Sequence, residues 1–283
     1  MPTLMVRYGE LGLKSPSVRR RFENALVDDI RRRHALAEVP CVITMMRGRI
    51  FVDSDNWRAS CEILSHTFGV VSFSPVTRTE SALEKLTHDT VEFAKPLLFD
   101  GASFAIRARR SGNHPYTSQT LAGVLGAAVL KDNEFQHVRV SLGEPDVEVS
   151  VEVRDTEAFL FSSALSGPGG MPLGTQGRIF CVIEDERGIA SSWLMMKRGC
   201  SAIVSTSEPT EVFEKWYPNL KTVAVEDDPM KQASDSDCIG VCLSWSLKDL
   251  EERGAVKGDL PVFYPLVGMN DDEVGALLSK IVA

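Results

Sequence analysis

The sequence predicts a mixed α/β and α+β chain in three modules, and three observations carry that prediction. Residues 1–76 read as strand, helix, strand, strand, helix, strand, the split βαβ order of ferredoxin-like units. The stretch DVEVSVEVRD, Asp146 to Asp155, alternates strictly between apolar and polar side chains, as a strand with one wet face does. From residue 178 onward strands and helices alternate, which predicts a parallel sheet with helices on both faces. The expected division is therefore 1–76, 77–167, a joining loop at 168–177, and 178–283.

Each element has a local reason. Leu4–Arg7 is an apolar strand, and Ser17–Ala35 a helix in which Val18, Phe22, Leu26 and Ile30 recur every four residues on one face. Strands Cys41–Met46 and Arg49–Val52 flank Arg47-Gly48 as a turn, and helix Trp57–Ser65 leads to strand Val70–Val76. In the second module a helix from Ser81 to Ala94 is stopped by Pro96, because proline lacks the N–H that would continue it. Strand Phe104–Arg109 and helix Ser118–Lys131 follow, the helix with an apolar stripe of Leu121, Val124, Leu125 and Ala128. Ala158–Ser162 is expected to pair with Asp146–Asp155. The segment SGPGGMPLGTQG, Ser166 to Gly177, is too rich in glycine and proline for a regular element. Beyond it, strands are expected at Ile179–Ile183, Ala202–Ser205, Thr222–Val225, Cys238–Leu243 and Val262–Leu266. Helices are expected after the first, second and fourth of these strands, the first at Ala190–Arg198 with Gly199 ending it. A last helix opens at Asn270, with Glu273 at capping-box spacing.

Composition narrows the classes of function. Hydrophobic residues make up 43% and charged residues 25% of 283, an ordinary globular balance. No apolar run approaches the ~20 residues of a spanning helix, and the N-terminus MPTLMVRYGE lacks a signal-peptide layout, so a cytoplasmic location without membrane partners is expected. Six scattered cysteines, Cys41, Cys61, Cys181, Cys200, Cys238 and Cys242, read as reduced and mostly buried thiols. The close pair Cys238 and Cys242 lacks metal-site spacing and a histidine partner, so no metal is expected. The net charge of −8 is unevenly spread: residues 178–283 carry −7, whereas residues 1–49 carry +5. An RNA backbone would meet a favourable field only at the front of the chain.

The turn between the first strand and helix of the third module poses a chemical question. A strand, a short loop and a helix N-terminus form a ready anion site, through free N–H groups and the helix dipole. Here the loop carries Glu184, Asp185 and Glu186. Carboxylates repel a phosphate by ~1–4 kcal/mol each at close range, while an acid at a helix start stabilises the helix by ~0.3–1 kcal/mol. The backbone N–H groups around Gly188 to Ala190 are accordingly expected to be satisfied by nearby side-chain oxygens or water, leaving no room for a triphosphate.

Six segments in order, RYGELGLKSPSVRRRF, RARRSGNHPYTSQ, GEPDVEVSVEV, GGMPLGTQG, LMMKRGC and PLVGMNDDEV, resemble those of tRNA 4-thiouridine synthetases, also called tRNA sulfurtransferases. The resemblance spans nearly the whole chain. It implies an N-terminal ferredoxin-like domain, a THUMP domain and a C-terminal Rossmann-like PP-loop domain, of which the first two bind tRNA and the third adenylates a uridine. The family's SGGxDS loop falls on Ile183, Glu184, Asp185, Glu186, Arg187 and Gly188, where neither its glycines nor its serines stand in place. Val241 and Trp245 occupy the positions of two pocket glutamines. The sequence stops soon after PLVGMNDDEV, so the segment with the family's catalytic cysteine is expected to be missing. These departures imply a degenerate nucleotide domain with no catalytic residue to assign and no bound cofactor, ATP entering only under the alternative below.

The expected RNA-binding residues are cationic or lie in the loop ahead of a helix. In the first module they are Lys14, Arg19, Arg20 and Arg21, the arginines sitting where the helix dipole disfavours cations, so helix stability does not account for them. Arg31, Arg32 and Arg33, by contrast, sit at the favoured C-terminal end. In the second module they are Arg107, Arg109, Arg110, His114, Tyr116 and Ser118, a basic strand end before a glycine loop and a helix N-terminus, with Arg139 extending the patch. Tyr116 is placed either to stack on a base or to pack beneath the loop. The resulting expectation is a tRNA-binding, non-catalytic family member, with tRNA and another tRNA-modification protein as partners. Two alternatives stay open: an ATP-dependent tRNA sulfurtransferase working with a separate sulfur carrier, and a protein–protein adaptor without RNA binding. The sequence leaves open the tRNA species, the target nucleotide and the oligomeric state, with a homodimer among the options.

Overall fold

A computed structural model describes residues 2–9, 15–46, 48–207 and 209–283. The first module contains β1 (Thr3–Tyr8), α1 (Pro16–Leu36), β2 (Val42–Met46), β3 (Arg49–Asp53), α2 (Trp57–Ser65) and β4 (Val70–Glu80), the βαββαβ order that its sequence implies. The second adds α3 (Leu83–Ala94), β5 (Ser103–Ser111), α4 (Ser118–Asp132), β6 (Arg139–Val140), β7 (Val147–Arg154), β8 (Glu157–Phe161) and β9 (Leu165–Ser166). Pro96 sits in a single 3₁₀ turn, Lys95–Leu97, that ends α3. These nine strands form one sheet in the order β2-β3-β1-β4-β8-β7-β5-β6, with β9 beside β4.

The apolar half of the alternation in β7 packs as expected, but its polar face is wet only at the start of the strand, since Glu152 and Arg154 are buried and paired at 2.6 Å. Val149, Val151 and Val153 are buried in a core shared with Leu121, Leu125 and Val129 of α4 and Phe104 and Ile106 of β5. The strand runs parallel to β5 and antiparallel to β8. Its turn into β8 places Asp155 at φ 49°, a left-handed conformation that aspartate tolerates better than most residues.

The third module is a five-stranded sheet, β10 (Arg178–Ile183), β11 (Ser201–Thr206), β12 (Lys221–Val223), β13 (Val241–Cys242) and β14 (Val262–Phe263), with α5 (Glu186–Lys197), α6 (Pro229–Asp235), α7 (Leu247–Arg253) and α8 (Asp271–Val282). Its order is β12-β11-β10-β13-β14 and every pairing is parallel. The order reverses between β10 and β13, the position at which open α/β sheets form a ligand crevice.

Besides the short strands β6 and β9, which the sequence does not announce, and the shorter β13 and β14, three details differ from the sequence expectation. Helix α5 begins at Glu186 rather than Ala190, because Asp185 caps it and leaves only Glu184 and Asp185 outside strand and helix. Among the described residues a 3₁₀ turn, Glu211–Phe213, replaces the helix expected between β11 and β12. Helix α6 has no counterpart in that expectation, although Asp228 and Pro229 form a standard start: an acid cap followed by proline at the first helical position. The capping box at Asn270 and Glu273 is present.

By chain proximity the molecule divides into two compact units. One comprises Met1–Met5, Phe51–Trp57 and Phe73–Leu165, the other Val6–Ile50, Arg58–Ser72 and Ser166–Ala283. Within the second unit, Phe68 joins the core of the parallel-sheet module and contacts the rings of Trp193 and Trp216. Among the described residues no helix is long and apolar enough to cross a membrane.

Candidate functional site

A cavity of about 540 Å³ opens beside the start of α1 and is lined by Tyr8, Pro16, Arg19, Arg20, Glu23, Asn24, Met45, Gly48 and Arg49. Helix α1 begins without a side-chain cap and without an acid in its first turn. Among the described residues, its first-turn N–H groups and the positive end of its dipole have no acidic side chain as partner. Arg19, Arg20 and Arg49 line the cavity together with one carboxylate among the described residues, Glu23, which accepts a hydrogen bond from the Tyr8 hydroxyl. Burial, then the bond to Glu23, pushes the Tyr8 phenol well above its ordinary value, so the phenol stays neutral and holds the acid in place. The arrangement suits a phosphate or another planar anion, which arginine grips in bidentate fashion.

Of the residues expected here from sequence, Arg19 and Arg20 line the cavity, while Arg21 is exposed and lies over the Phe22 ring at 5.1 Å. Lys14 and the Arg47 half of the turn lie outside the described residues. Tyr8, Glu23 and Arg49 carry no sequence signal of a shared site. Tyr8 and Arg49 meet because β3 lies beside β1 in the sheet, Glu23 joins them from α1, and neither strand carries a motif that announces this.

The second-module residues form a less uniform group. Arg109 and Arg110 are exposed at the end of β5, with Arg110 donating to the Gly112 carbonyl at 3.2 Å. Arg107 is tied to Glu148 at 3.0 Å and to the Leu142 carbonyl at 2.7 Å. Tyr116 is only 8% exposed and donates its hydroxyl to the Ser81 carbonyl at 2.7 Å, so it packs beneath the loop rather than offering a stacking face. His114 lies parallel to it, ring centres 5.5 Å apart, and its Nε2 donates to the Ser111 carbonyl at 3.1 Å. Ser118 opens α4, but the cap is Thr117, whose hydroxyl accepts the Thr120 N–H. Arg139 pairs in register with Ser103, at the opposite end of β5 from Arg109. At ~3.3 Å per residue that separation is about 20 Å, so Arg139 does not extend the patch.

In the third module, Asp185 Oδ1 accepts the Gly188 N–H at 3.1 Å and so occupies the place of an anion at the start of α5. Glu184 and Glu186 are exposed on either side. Arg187 turns to Asp271, 2.7 Å away, at the start of α8. Ile183 is buried, and a Cβ on Gly188 would stand 2.7 Å from its Cα. The glycine thus serves close packing of helix on strand rather than phosphate approach. Trp245 contacts the Tyr264 ring at 5.8 Å and carries Arg253 over its face at 5.3 Å. Helices α6, α7 and α8 are capped likewise, by Asp228, Ser246 and Asn270. Among the described residues no cluster of His, Cys, Asp or Glu is arranged to hold a metal.

Fold and site together define a class: a ferredoxin-like unit followed by a THUMP domain and a parallel-sheet domain. Residues 3–74 match the ThiI ferredoxin-like domain and residues 80–163 the THUMP domain. The chain's ferredoxin-like and THUMP domains are of the kind found in tRNA sulfurtransferases, also called 4-thiouridine synthetases, to which it is similar. It is 40% identical over 208 residues to the probable tRNA sulfurtransferase of Methanobrevibacter smithii, covering 71% of this chain and 52% of that protein. It is 28% identical over 333 aligned residues to that of Thermoanaerobacter pseudethanolicus, covering 98% of this chain and 85% of the relative. The chain spans about half the length of its archaeal relatives. Among solved structures, PH1313 from Pyrococcus horikoshii superposes with a TM-score of 0.83 at 25% identity, over 100% of both chains. A 4-thiouridine synthetase solved with RNA and bound ATP shares the fold, with a TM-score of 0.77 at 20% identity over 99% of this chain and 85% of that one.

Proposed function

We propose that this chain is a tRNA-binding protein whose third module acts as a scaffold and does not activate a nucleotide. The carrying observation is the cationic cavity at the uncapped start of α1, bounded by Arg19, Arg20 and Arg49. Exposed Arg109 and Arg110 supply a second basic surface of the same chemistry. Backbone phosphates are the ligands that such surfaces select, and they position an RNA without reading its sequence. The scaffold reading rests on Asp185, which occupies the anion position of α5, with Glu184 and Glu186 beside it. The functional modules are then 1–76, 77–167 and 178–283, joined by 168–177, and the similarity to tRNA sulfurtransferases makes tRNA the RNA of choice.

Mobility shift with bulk tRNA at modest salt tests the first part. The chain is expected to bind, and charge reversal by Arg19→Glu with Arg20→Glu to weaken binding at least about tenfold. The same change should flatten the salt dependence, by roughly 0.7–0.9 in slope for each phosphate no longer neutralised. Affinity no better than that of an unrelated acidic protein, or indifferent to both substitutions, would sink it. Calorimetry with ATP and Mg²⁺ tests the scaffold part. No binding is expected; micromolar binding displaced by pyrophosphate would favour an ATP-dependent sulfurtransferase instead.

A further inference from the structure

Helices α5 and α8 lie side by side and run the same way. Arg187 at the start of one meets Asp271 at the start of the other, and Trp193, Met196, Val274 and Ile281 share one core. Their carboxyl ends therefore come together, about 18 Å along α5 from the turn at Asp185. Three cations gather there, Lys197 and Arg198 at the end of α5 and Lys280 in the last turn of α8. Lys197 lies over the Trp193 ring, its Nζ 5.1 Å from the centre. Burial, then the nearby Lys280 and Arg198, hold its pKa below the ordinary lysine value, and among the described residues no carboxylate offsets them. Lys215, tied to the Val282 carbonyl at 2.7 Å, borders the group.

Helix stability accounts for one cation at each helix end, where the dipole favours it. It does not account for three held together, because like charges disfavour one another, as the lowered Lys197 value shows. Arg198 and Lys280 are exposed and Lys197 is half-buried, so all three present charge to solvent. Residues 178–283 carry −7 in all, which repels a polyanion from most of this module and leaves it this pole to approach. A phosphate backbone offers several charges at once, and lysine binds each as a point charge. We propose that Lys197, Arg198 and Lys280 form a second surface for the RNA backbone, on the third module and at the opposite end of α5 from the Asp185 turn. The inference rests on the reading that the chain binds tRNA, and it makes the acidic module a direct participant in holding that RNA.

Mobility shift of the full chain with bulk tRNA compares two double variants. One carries Lys197→Glu with Lys280→Glu. The control carries Lys231→Glu with Lys257→Glu, exposed on the other side of the sheet, where Met230 packs. The first is expected to weaken binding about five- to tenfold and to lower the salt dependence by roughly 0.7–0.9 in slope for each phosphate released. The control, with the same change of net charge, should lose less than about twofold, since separated surface charges are screened. Acetylation of surface lysines, read by mass spectrometry, adds a check at single residues: tRNA should slow the reaction of Lys280 and leave that of Lys257 unchanged. Binding unaltered in the first variant, while Arg19→Glu with Arg20→Glu weakens it, would overturn this surface and leave the tRNA reading standing. No binding by the unaltered chain would remove both. Equal losses in the two double variants would also overturn the proposal. Retention on immobilised polyglutamate that the first variant abolishes, with tRNA affinity unchanged, would overturn it in favour of an acidic protein.

Discussion

His34 shows how far a single side chain's chemistry is set by its surroundings. It lies buried in α1, with Nδ1 donating to the Ile30 carbonyl at 2.8 Å and Nε2 accepting from Ser60 Oγ at 3.0 Å. Burial holds its pKa below the ordinary imidazole value. A group with a depressed folded pKa contributes stability above its unfolded value, and that contribution is lost as pH falls. The thiols act in the opposite sense. Cys181 is the register partner of Cys242 in β13, and this contact together with complete burial raises its pKa well above the usual thiol value. Stability should therefore be greatest between about pH 6.5 and 8.5, falling on the acid side as unfolding lets His34 take a proton and on the alkaline side as it lets Cys181 lose one. Thermal unfolding against pH checks this: His34→Gln should be less stable at neutral pH but show a flatter acid limb. An unchanged acid limb would remove His34 from the account. Tyr116 teaches a related lesson, since an aromatic in a basic loop has two uses and only the bond to the Ser81 carbonyl decides between them.

At the scale of one element, α5 depends on two neighbouring residues that do different things. Asp185 supplies the first acceptor, and Gly188 lets the helix lie against β10. Gly188→Ala would place a methyl 2.7 Å from the Ile183 Cα, a backbone atom with nowhere to retreat. Displacing the helix should cost about 1–3 kcal/mol. Gly123, inside α4, has nothing within 4 Å of an added Cβ. There Gly123→Ala should stabilise by about 1 kcal/mol, through helix propensity and reduced freedom of the unfolded chain. Urea denaturation of the two variants compares them directly, and equal effects of the same sign would refute the packing argument. The sequence contains the acid and the glycine, but it does not place the helix start, because the apolar periodicity begins only after the capped first turn.

At the scale of the whole molecule, Arg33 does more than complement a helix C-terminus, the role its sequence position suggests. It is 4% exposed, donates Nε to Asp29 Oδ2 at 2.9 Å, and reaches the carbonyls of Lys215 and Trp216 in the third module. Arg32 adds the Pro218 carbonyl at 3.2 Å. A helix of the first module and a loop of the third, 182 residues apart, are thus joined by charge-assisted hydrogen bonds. Arg33→Met should cost about 3–5 kcal/mol, because Asp29 is left buried with its ion pairing weakened, and Asp29→Leu in the same chain should recover part of that loss. Chemical denaturation of the single and double variants tests the coupling; strictly additive losses would show that Asp29 and Arg33 are not coupled, and a loss under about 1 kcal/mol for Arg33→Met, a surface-pair magnitude, that Arg33 is no clamp.

The sequence by itself determined the order of elements in the first module, the longer elements of the second, the parallel character of the third, the acidic turn after β10 and the basic start of α1. These features are local: periodicity, capping and charge act between residues a few positions apart. Tertiary structure alone decided that Tyr8, Glu23 and Arg49 share a cavity with Arg19 and Arg20, that Arg139 stands apart from Arg109, that Tyr116 is a core residue and that Arg33 is a clamp. Each of those outcomes depends on which strand lies beside which, or on which loop meets which helix. Such pairings are fixed by the burial of the whole core, so no short window of sequence contains them.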